Sequence, residues 1–206
     1  RRAVALKLPD VRTRLPEELR PPPPPLPPEA EHLRSLVALG DGVVRKPLVA
    51  GNAVTLLPGG ERAYRAMCDA IDAAERSVTL CTYIFDPGVA GHAIADALAR
   101  AKARGAQVRV LVDAVGARYG WPPIHRRLRR DGVTTELFLP RFTPGWLPFM
   151  NLRNHRKILV VDGTVGFTGG MNIRDDFLPA PGRAPFMDLQ ARLEGPVVEH
   201  LQSAFA

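Results

Sequence analysis

The sequence has little of what marks membrane-spanning, disulfide-bonded or zinc-binding proteins. No apolar run approaches the roughly 18 residues that a membrane-spanning helix needs, and the first residues do not resemble a signal peptide. The two cysteines, Cys68 and Cys81, lie in apolar surroundings without a Cys-x-x-Cys pair or a Cys/His cluster. We therefore expect reduced, buried thiols and no zinc site. Aromatic residues make up only 6% of the chain, which weakens the case for a surface that stacks on nucleic-acid bases.

Basic residues exceed acidic residues in this chain. The 206 residues include 28 Lys and Arg against 21 Asp and Glu, a formal charge of +7. Such an excess favours a polyanionic partner, which can be a nucleic acid, an anionic membrane surface or a phosphate ester. With 46% apolar residues the composition is that of a globular domain with a substantial core. The chain starts with Arg1 and its last residues suggest an unfinished helix, so we expect the natural sequence to continue beyond both ends.

The first 45 residues differ from the rest because they are rich in proline. Seven prolines lie between Pro21 and Pro28, and proline runs favour extended polyproline II over a helix or a central strand. We interpret residues 1–45 as a linker or arm, with a short helix at residues 29–39. A proline-rich binding site for a partner domain is the alternative.

From residue 46 onward the apolar pattern alternates between strands and helices. The pattern predicts strands at residues 54–57, 77–85, 108–112, 134–139, 157–161, 165–168 and 189–193, and helices at residues 64–71, 94–101, 124–130 and 197–205. Asp162-Gly163 is a strong signal for the tight turn of a hairpin. Strands that alternate with helices predict an α/β fold: a mixed, largely parallel β-sheet flanked by helices on both faces.

Two residues suited to phosphate chemistry, His155 and Lys157, lie just before and at the start of the strand predicted at residues 157–161. Side chains two residues apart in a strand point to the same side, so His155 and Lys157 share a face with their Cα atoms about 6.5 to 7 Å apart. An imidazole and an ammonium presented together can attack or protonate a phosphate and neutralise its charge. A lone His-x-Lys pair at a strand edge is usually only a solvated polar face.

The residues that follow this pair strengthen the interpretation. Asp162 falls in the turn at the end of the strand. Gly169 and Gly170 have no side chains, so an anion can approach the backbone closely there. Asn172 adds a side-chain amide donor. The whole spacing is His-x-Lys-x4-Asp-x6-Gly-Gly-x-Asn, and a chance match at so many fixed positions is very improbable.

This spacing resembles the HKD motif of the phospholipase D superfamily. It departs only at Gly170, where many members have serine and where glycine is also familiar among cardiolipin synthases. The similarity to the first half of a bacterial cardiolipin synthase extends to residues 51–52, 83–85, 110–116, 151–172 and 193–205. It covers roughly residues 47–206, which implies a phospholipase D-like catalytic lobe at residues 46–206 preceded by the proline-rich arm.

The resemblance implies a two-step displacement at phosphorus with no cofactor and no obligatory metal. One motif histidine attacks phosphorus, and the histidine of a second motif protonates the leaving alcohol and then activates the incoming alcohol or water. His155 would be the nucleophile or its acid/base partner. Lys157 and Asn172 would hold the phosphate oxygens. Asp162 would support and orient a histidine.

Only one such motif occurs in this chain. The other histidines are not followed by lysine two residues later: His32, His92, His125 and His200. A complete site therefore needs a second HKD lobe. We favour a C-terminal half that this sequence lacks over a second identical chain.

The surroundings of the motif bear on its substrate. Between positions 125 and 157 the only acidic residues are Asp131 and Glu136. The basic residues there are more numerous: Arg126, Arg127, Arg129, Arg130, Arg141, Arg153, Arg156 and Lys157. Such a patch suits lipid head groups or a nucleic-acid backbone, although a merely solvated face has the same composition. Residues 142–150, with Trp146, suit a membrane interface or an ordinary core-filling loop.

We therefore predict a phosphatidyltransferase of the cardiolipin-synthesis type. Its substrates would be anionic phospholipids such as phosphatidylglycerol, at a membrane surface and on the cytoplasmic face of the bacterial inner membrane. Nucleic acid is not the expected partner. The alternatives are a phosphodiesterase or nuclease of the same superfamily with water as acceptor, and a non-catalytic lobe that binds anionic lipid or contributes only structure.

Overall fold

The computed structural model describes residues 24–44, 46, 48–139 and 153–205, and it divides the chain into two units, Arg1–Ala50 and Gly51–Ala206. In the first unit a 3₁₀ turn at Pro28–Leu33 leads into helix α1, Arg34–Val44, so the short helix predicted at residues 29–39 is present but its α-helical part is shifted toward the C-terminus. Pro27 has the φ of −65° and ψ of 153° of polyproline II. Prolines 21–23 lie outside the described residues. The linker or arm function of this unit stays a prediction.

Every strand and helix predicted for the second unit is present within the described residues. The strands are β1 (Ala53–Pro58), β2 (Ser77–Thr82), β3 (Gln107–Asp113), β4 (Thr134–Phe138), β5 (Ile158–Val161), β6 (Val165–Gly169) and β7 (Leu189–Glu194). The helices are α2 (Gly60–Asp72), α3 (Val89–Ala103), α4 (Ile124–Arg130) and α5 (Val197–Phe205). The periodicity of apolar residues was sufficient here because most of these elements bury one face or both. Strand β1 is an exception, since its residues are mostly exposed.

The strands form one mixed sheet in the order β1-β7-β6-β5-β2-β3-β4, so the mixed α/β fold is confirmed. The prediction that the sheet is largely parallel is wrong. Among the seven strands that the structure describes, only β2–β3 and β3–β4 pair in parallel, because α3 and α4 carry the chain back to the starting edge. The Asp162-Gly163 turn, with φ of 52° and 71°, makes β5–β6 an antiparallel hairpin as predicted, and β7 and β1 add antiparallel strands beyond it.

Apolar side chains cover both faces of the sheet. On one face α2 and α3 pack over the strands, with Leu98 and Phe167 fully buried. On the other face Val198 of α5 packs with Cys81 and Ile158. The prediction of helices on both faces is confirmed. No helix among the described residues has the length and apolar character needed to cross a bilayer.

Candidate active site

The predicted motif residues lie at two opposite edges of the sheet, each of which is formed by the ends of strands and not by an edge strand. The register pairs Cys81 of β2 with Ile158 of β5, so the chain just before β5 runs beside the residues that follow β2. Because β6 pairs its Gly169 with Gln190 of β7, the end of β6 and the start of β7 reach the same edge. His155, Lys157 and Asn172 belong to this edge. Asp162 lies at the other one.

His155 and Lys157 share one aromatic neighbour, Tyr83. The exposed imidazole of His155 stacks on the Tyr83 ring, with centroids 4.2 Å apart and planes at 20°. The Lys157 Nζ atom lies 5.7 Å from the centroid of the same ring. The two side chains therefore project to one side of the chain, as the spacing predicted, and the imidazole remains accessible.

Lys157 is half-buried, so its ammonium group is partly desolvated. Its Nζ donates a hydrogen bond of 2.7 Å to the carbonyl oxygen of His155. Burial lowers the pKa of the Lys157 ammonium, and the nearby Asp188 carboxylate and Cys81 oppose that shift. A cation with few competing waters is well suited to hold a phosphate oxygen.

A buried carboxylate, Asp113 at the end of β3, holds the irregular segment that precedes β5. Its Oδ2 accepts the Asn154 N–H at 3.0 Å, its Oδ1 accepts the Val115 N–H at 2.9 Å, and the Arg153 guanidinium lies 3.8 Å from Oδ1. The Asn154 side chain donates to the Cys81 sulfur at 3.1 Å. Sequence reasoning did not identify Asp113, although a carboxylate at the end of an apolar strand was a usable signal.

The burial predicted for the two thiols is confirmed for Cys81 and holds only in part for Cys68. Cys81 is fully buried, and burial raises its pKa while the hydrogen bond from Asn154 opposes the rise. Cys68 is only half-buried, and burial raises its pKa to about 11. Both thiols are free, as expected.

Asn172 is fixed beside the residues that follow β2. Its side-chain oxygen accepts the Ile84 N–H at 3.1 Å, and its backbone carbonyl accepts the Tyr64 hydroxyl at 2.6 Å. Because the amide oxygen is bonded to the Ile84 backbone, the amide nitrogen lies on the other side of the planar group. This arrangement leaves the Asn172 amide suited to donate to a ligand at the same edge as Lys157.

The structure corrects the role predicted for Asp162. Strand β5 separates it from His155, and four strand residues span about 10 Å at 3.3 Å per residue. The Asp162 carboxylate instead accepts the N–H groups of Glu75, Arg76 and Ser77 at 2.7–2.9 Å. Burial raises the pKa of Asp162, but these three hydrogen bonds outweigh it and lower the pKa overall. Asp162 therefore anchors the chain entering β2 and does not orient His155 of the same chain.

Gly169 and Gly170 are exposed, and side chains of this chain lie close beside both of them. A Cβ at Gly170 would overlap the carboxylate of Asp188, and a Cβ at Gly169 would overlap the side chain of Gln190. The two glycines therefore make room for Asp188 and Gln190, and the binding of an anion at their exposed backbone stays a prediction. Asp188, which lies close enough to Lys157 to affect its pKa, is a site residue that sequence reasoning missed. Its position just before a predicted strand gave no local signal.

Much of the predicted basic patch is paired with acidic residues. Arg127 bonds to Asp96 and lies 3.3 Å from Asp131, and Arg129 lies 3.6 Å from Glu136. The patch is thus less cationic than its composition suggested. Arg141 and residues 142–150 lie outside the described residues. Within the described part of the chain, no group of three His, Cys, Asp or Glu side chains is arranged to hold a metal.

Comparison with protein families gives a match over residues 67–178 to the model described as "Cardiolipin synthase, PLD-like domain". This chain belongs to that PLD-like family. The resemblance seen in the HKD spacing is thereby confirmed. The family match includes His155, Lys157, Asp162 and Asn172.

Curated relatives resemble most of this PLD-like chain. It is 39% identical over 178 residues to "Cardiolipin synthase A" of Pseudomonas entomophila, which covers 84% of this chain and 36% of the relative. The protein of the same name from Pseudomonas putida is 38% identical over 177 residues, with the same coverage. The chain thus spans about a third of the length of these relatives.

Solved structures support the fold of the PLD-like lobe. The phospholipase D family member Nuc from Salmonella typhimurium superposes with a TM-score of 0.58 at 20% identity, over 75% of this chain and 92% of Nuc. NucT from Helicobacter pylori has a TM-score of 0.58 at 16% identity, over 75% and 92%. At these identities the similarity concerns the fold alone.

Proposed function

We propose that this PLD-like lobe supplies one half of an active site that transfers a phosphatidyl group between phospholipids through a phosphohistidine intermediate. The observation that carries the proposal is that the side chains of His155 and Lys157 project to the same side of the chain and both lie near the Tyr83 ring. An accessible imidazole beside a partly dehydrated ammonium can engage a phosphodiester. The names of the Pseudomonas relatives favour cardiolipin synthesis as the reaction.

The chemistry requires two imidazoles. A nitrogen of one histidine forms a bond to phosphorus, and the bond from phosphorus to the oxygen of the head-group glycerol breaks. The leaving oxygen takes a proton from the second histidine. The acceptor alcohol then gives its proton back to that second histidine, its oxygen bonds to phosphorus, and the phosphorus–nitrogen bond breaks. His155 takes one of these two places.

Lys157 and Asn172 stabilise the phosphoryl group in both steps. Charge builds on the non-bridging oxygens in each transition state, and fixed donors of positive potential lower its energy. The Asn172 amide is held by Ile84, so it loses little freedom when it binds. The carboxylate of Asp188 opposes the lowering of the Lys157 pKa by burial and so favours the charged ammonium.

The second histidine comes from another HKD lobe. The one His-x-Lys pair in this sequence is that of His155 and Lys157, so a further lobe of the natural protein or a second chain must complete the pocket. The substrate is an anionic phospholipid such as phosphatidylglycerol. The reaction therefore takes place at a membrane surface, which we place on the cytoplasmic face of a bacterial inner membrane.

The experiment compares the full-length natural protein with its His155→Ala variant on vesicles that contain phosphatidylglycerol. We expect cardiolipin and glycerol from the wild type and near-complete loss of both in the variant. His32→Ala, an exposed histidine of the first unit, is the matched control. An acid-labile phosphate adduct on His155 or on the histidine of the second motif is expected in quenched reactions.

Three outcomes would contradict the proposal. Release of phosphatidic acid without cardiolipin would identify a phosphodiesterase with water as acceptor. Digestion of single-stranded DNA in place of lipid turnover would identify a nuclease. Unimpaired cardiolipin synthesis in His155→Ala would show that this lobe binds lipid or contributes structure only.

A further inference from the structure

We propose that Tyr83 is a positioning residue whose ring holds the His155 imidazole and the Lys157 ammonium in the arrangement that phosphoryl transfer needs. The inference rests on the proposed function and adds a residue to it. Ring centroids of Tyr83 and His155 are 4.2 Å apart with an interplanar angle of 20°, which is face-to-face contact. The Lys157 Nζ atom lies 5.7 Å from the same centroid, within the range of a cation–π interaction.

His155 needs such a support because its backbone provides little. It lies in the irregular segment before β5, it is exposed, and the second side-chain torsion of histidine has a broad energy well. Within the described residues no hydrogen bond to its ring nitrogens is seen. Stacking restrains the ring through its face and leaves both nitrogens at the free edge, where phosphorus and a proton donor or acceptor can reach them.

Tyr83 is itself held from several sides. The residue before it, Thr82, is buried and its hydroxyl donates to the Ile84 carbonyl at 3.0 Å. The N–H of Ile84 donates to the Asn172 side chain at 3.1 Å. This hydrogen bond connects the backbone next to Tyr83 to the predicted phosphate-binding amide. A Cβ on Gly116 would overlap the Tyr83 carbonyl, so the loop after β3 packs directly against this backbone.

The Tyr83 ring also stays neutral at physiological pH. Burial raises the pKa of its hydroxyl, and the neighbouring Tyr119 adds to the effect. A neutral phenol keeps an attractive ring face for the Lys157 ammonium without placing a formal negative charge beside the phosphate. The loop after β3 and the segment after β6 thus both hold the backbone around Tyr83, and its ring contacts both motif side chains.

The first test measures the stacking without any need for catalysis. Ring protons of His155 are assigned by NMR in this chain, with His155→Ala as the reference. They should be shifted upfield by the Tyr83 ring current in the wild type and in Tyr83→Phe. Tyr83→Leu and Tyr83→Met remove the aromatic face with side chains of similar length, and both should abolish the upfield shift. An unshifted His155 in the folded wild type would overturn the inference.

The second test measures turnover in the full-length protein. Tyr83→Leu and Tyr83→Met should lower kcat by about 10- to 100-fold with little change in KM, because displacement of a reacting group by about 1 Å can cost a factor of that size. Tyr83→Phe should retain most of the turnover. Equal losses in the Phe and Leu variants would overturn the inference, since they would show that the hydroxyl matters and the ring face does not.

The two tests separate failure of the inference from failure of the proposed function. If His155→Ala abolishes cardiolipin formation but Tyr83→Leu and Tyr83→Met do not lower it, the inference is wrong and the function stands. If His155→Ala retains activity while the NMR shifts follow the Tyr83 series, the stacking is real but the function is wrong. Two aliphatic variants are used so that a folding defect in either one leaves the other to decide.

Discussion

Replacement of Asp162 should destabilise the lobe and leave its chemistry intact, contrary to what the motif alone suggests. The Asp162 carboxylate accepts three backbone N–H groups, from Glu75, Arg76 and Ser77, at 2.9, 2.8 and 2.7 Å. These donors belong to the chain that enters β2, a central strand of the sheet. Without the carboxylate they lose their partner inside the protein, and the start of β2 is held less firmly.

The size of the effect follows from the number of bonds. A hydrogen bond to a charged group contributes about 1.5–3 kcal/mol, but a partly exposed carboxylate that caps backbone N–H groups contributes nearer to about 1 kcal/mol for each bond. Asp162→Ala also places alanine at a φ of 52°, which costs about 1 kcal/mol more. We expect a total loss of about 3–4 kcal/mol, or about 6–16 °C in Tm for a unit of this size. Asp162→Asn tolerates the positive φ and should lose less.

The contribution of Asp162 should also depend on pH in a defined direction. Because the three hydrogen bonds hold the pKa of the folded carboxylate below its ordinary value, the ionised form stabilises the fold. This stability is present in full above about pH 4, the region where an unfolded aspartate titrates, and is lost as pH falls through the folded pKa. The difference in unfolding free energy between wild type and Asp162→Ala should therefore be constant near pH 7 and shrink below about pH 4.

The assay is denaturant unfolding of the chain at several pH values, followed by turnover of the full-length protein at a temperature where the variant remains folded. Asp69→Ala, an exposed aspartate on α2, is the matched control and should change stability little. We expect near-normal kcat for folded Asp162→Asn. Loss of turnover with unchanged unfolding free energy would refute the reasoning and restore a role for Asp162 in the reaction.

Two further substitutions test the contacts that shape the site. Asp113→Asn removes the buried charge that faces Arg153, and we expect a loss of about 3 kcal/mol in denaturant unfolding; a variant as stable as wild type would contradict the pairing. Gly170→Ala forces the carboxylate of Asp188, the end of a flexible side chain, to move, so turnover should fall while the unfolding free energy changes by no more than about 0.5 kcal/mol. Gly42→Ala, where a Cβ meets no neighbour, is the control; unchanged kcat in Gly170→Ala would show that the position of Asp188 is unimportant.

Local sequence patterns were sufficient to predict the elements of the lobe and the two most informative site residues. The bounds of α4 and the hairpin turn at Asp162-Gly163 were both predicted, because periodicity and turn chemistry act within a few residues of one another. The shared side of His155 and Lys157 was predicted from the two-residue repeat of a strand, and it is observed although both residues lie just before β5. The spacing of the motif was enough to predict the family.

The tertiary structure decided what depends on residues distant in the sequence. The direction of β7 against β6, the binding of Asp162 to the chain before β2, and the overlap that Asp188 imposes on Gly170 join segments that have no local signal for one another. The contact of Tyr83 with His155 is of the same kind. Local patterns specify backbone angles and buried faces, whereas the partner of a given side chain is set by the order and register of all the strands and by the packing of the helices on them.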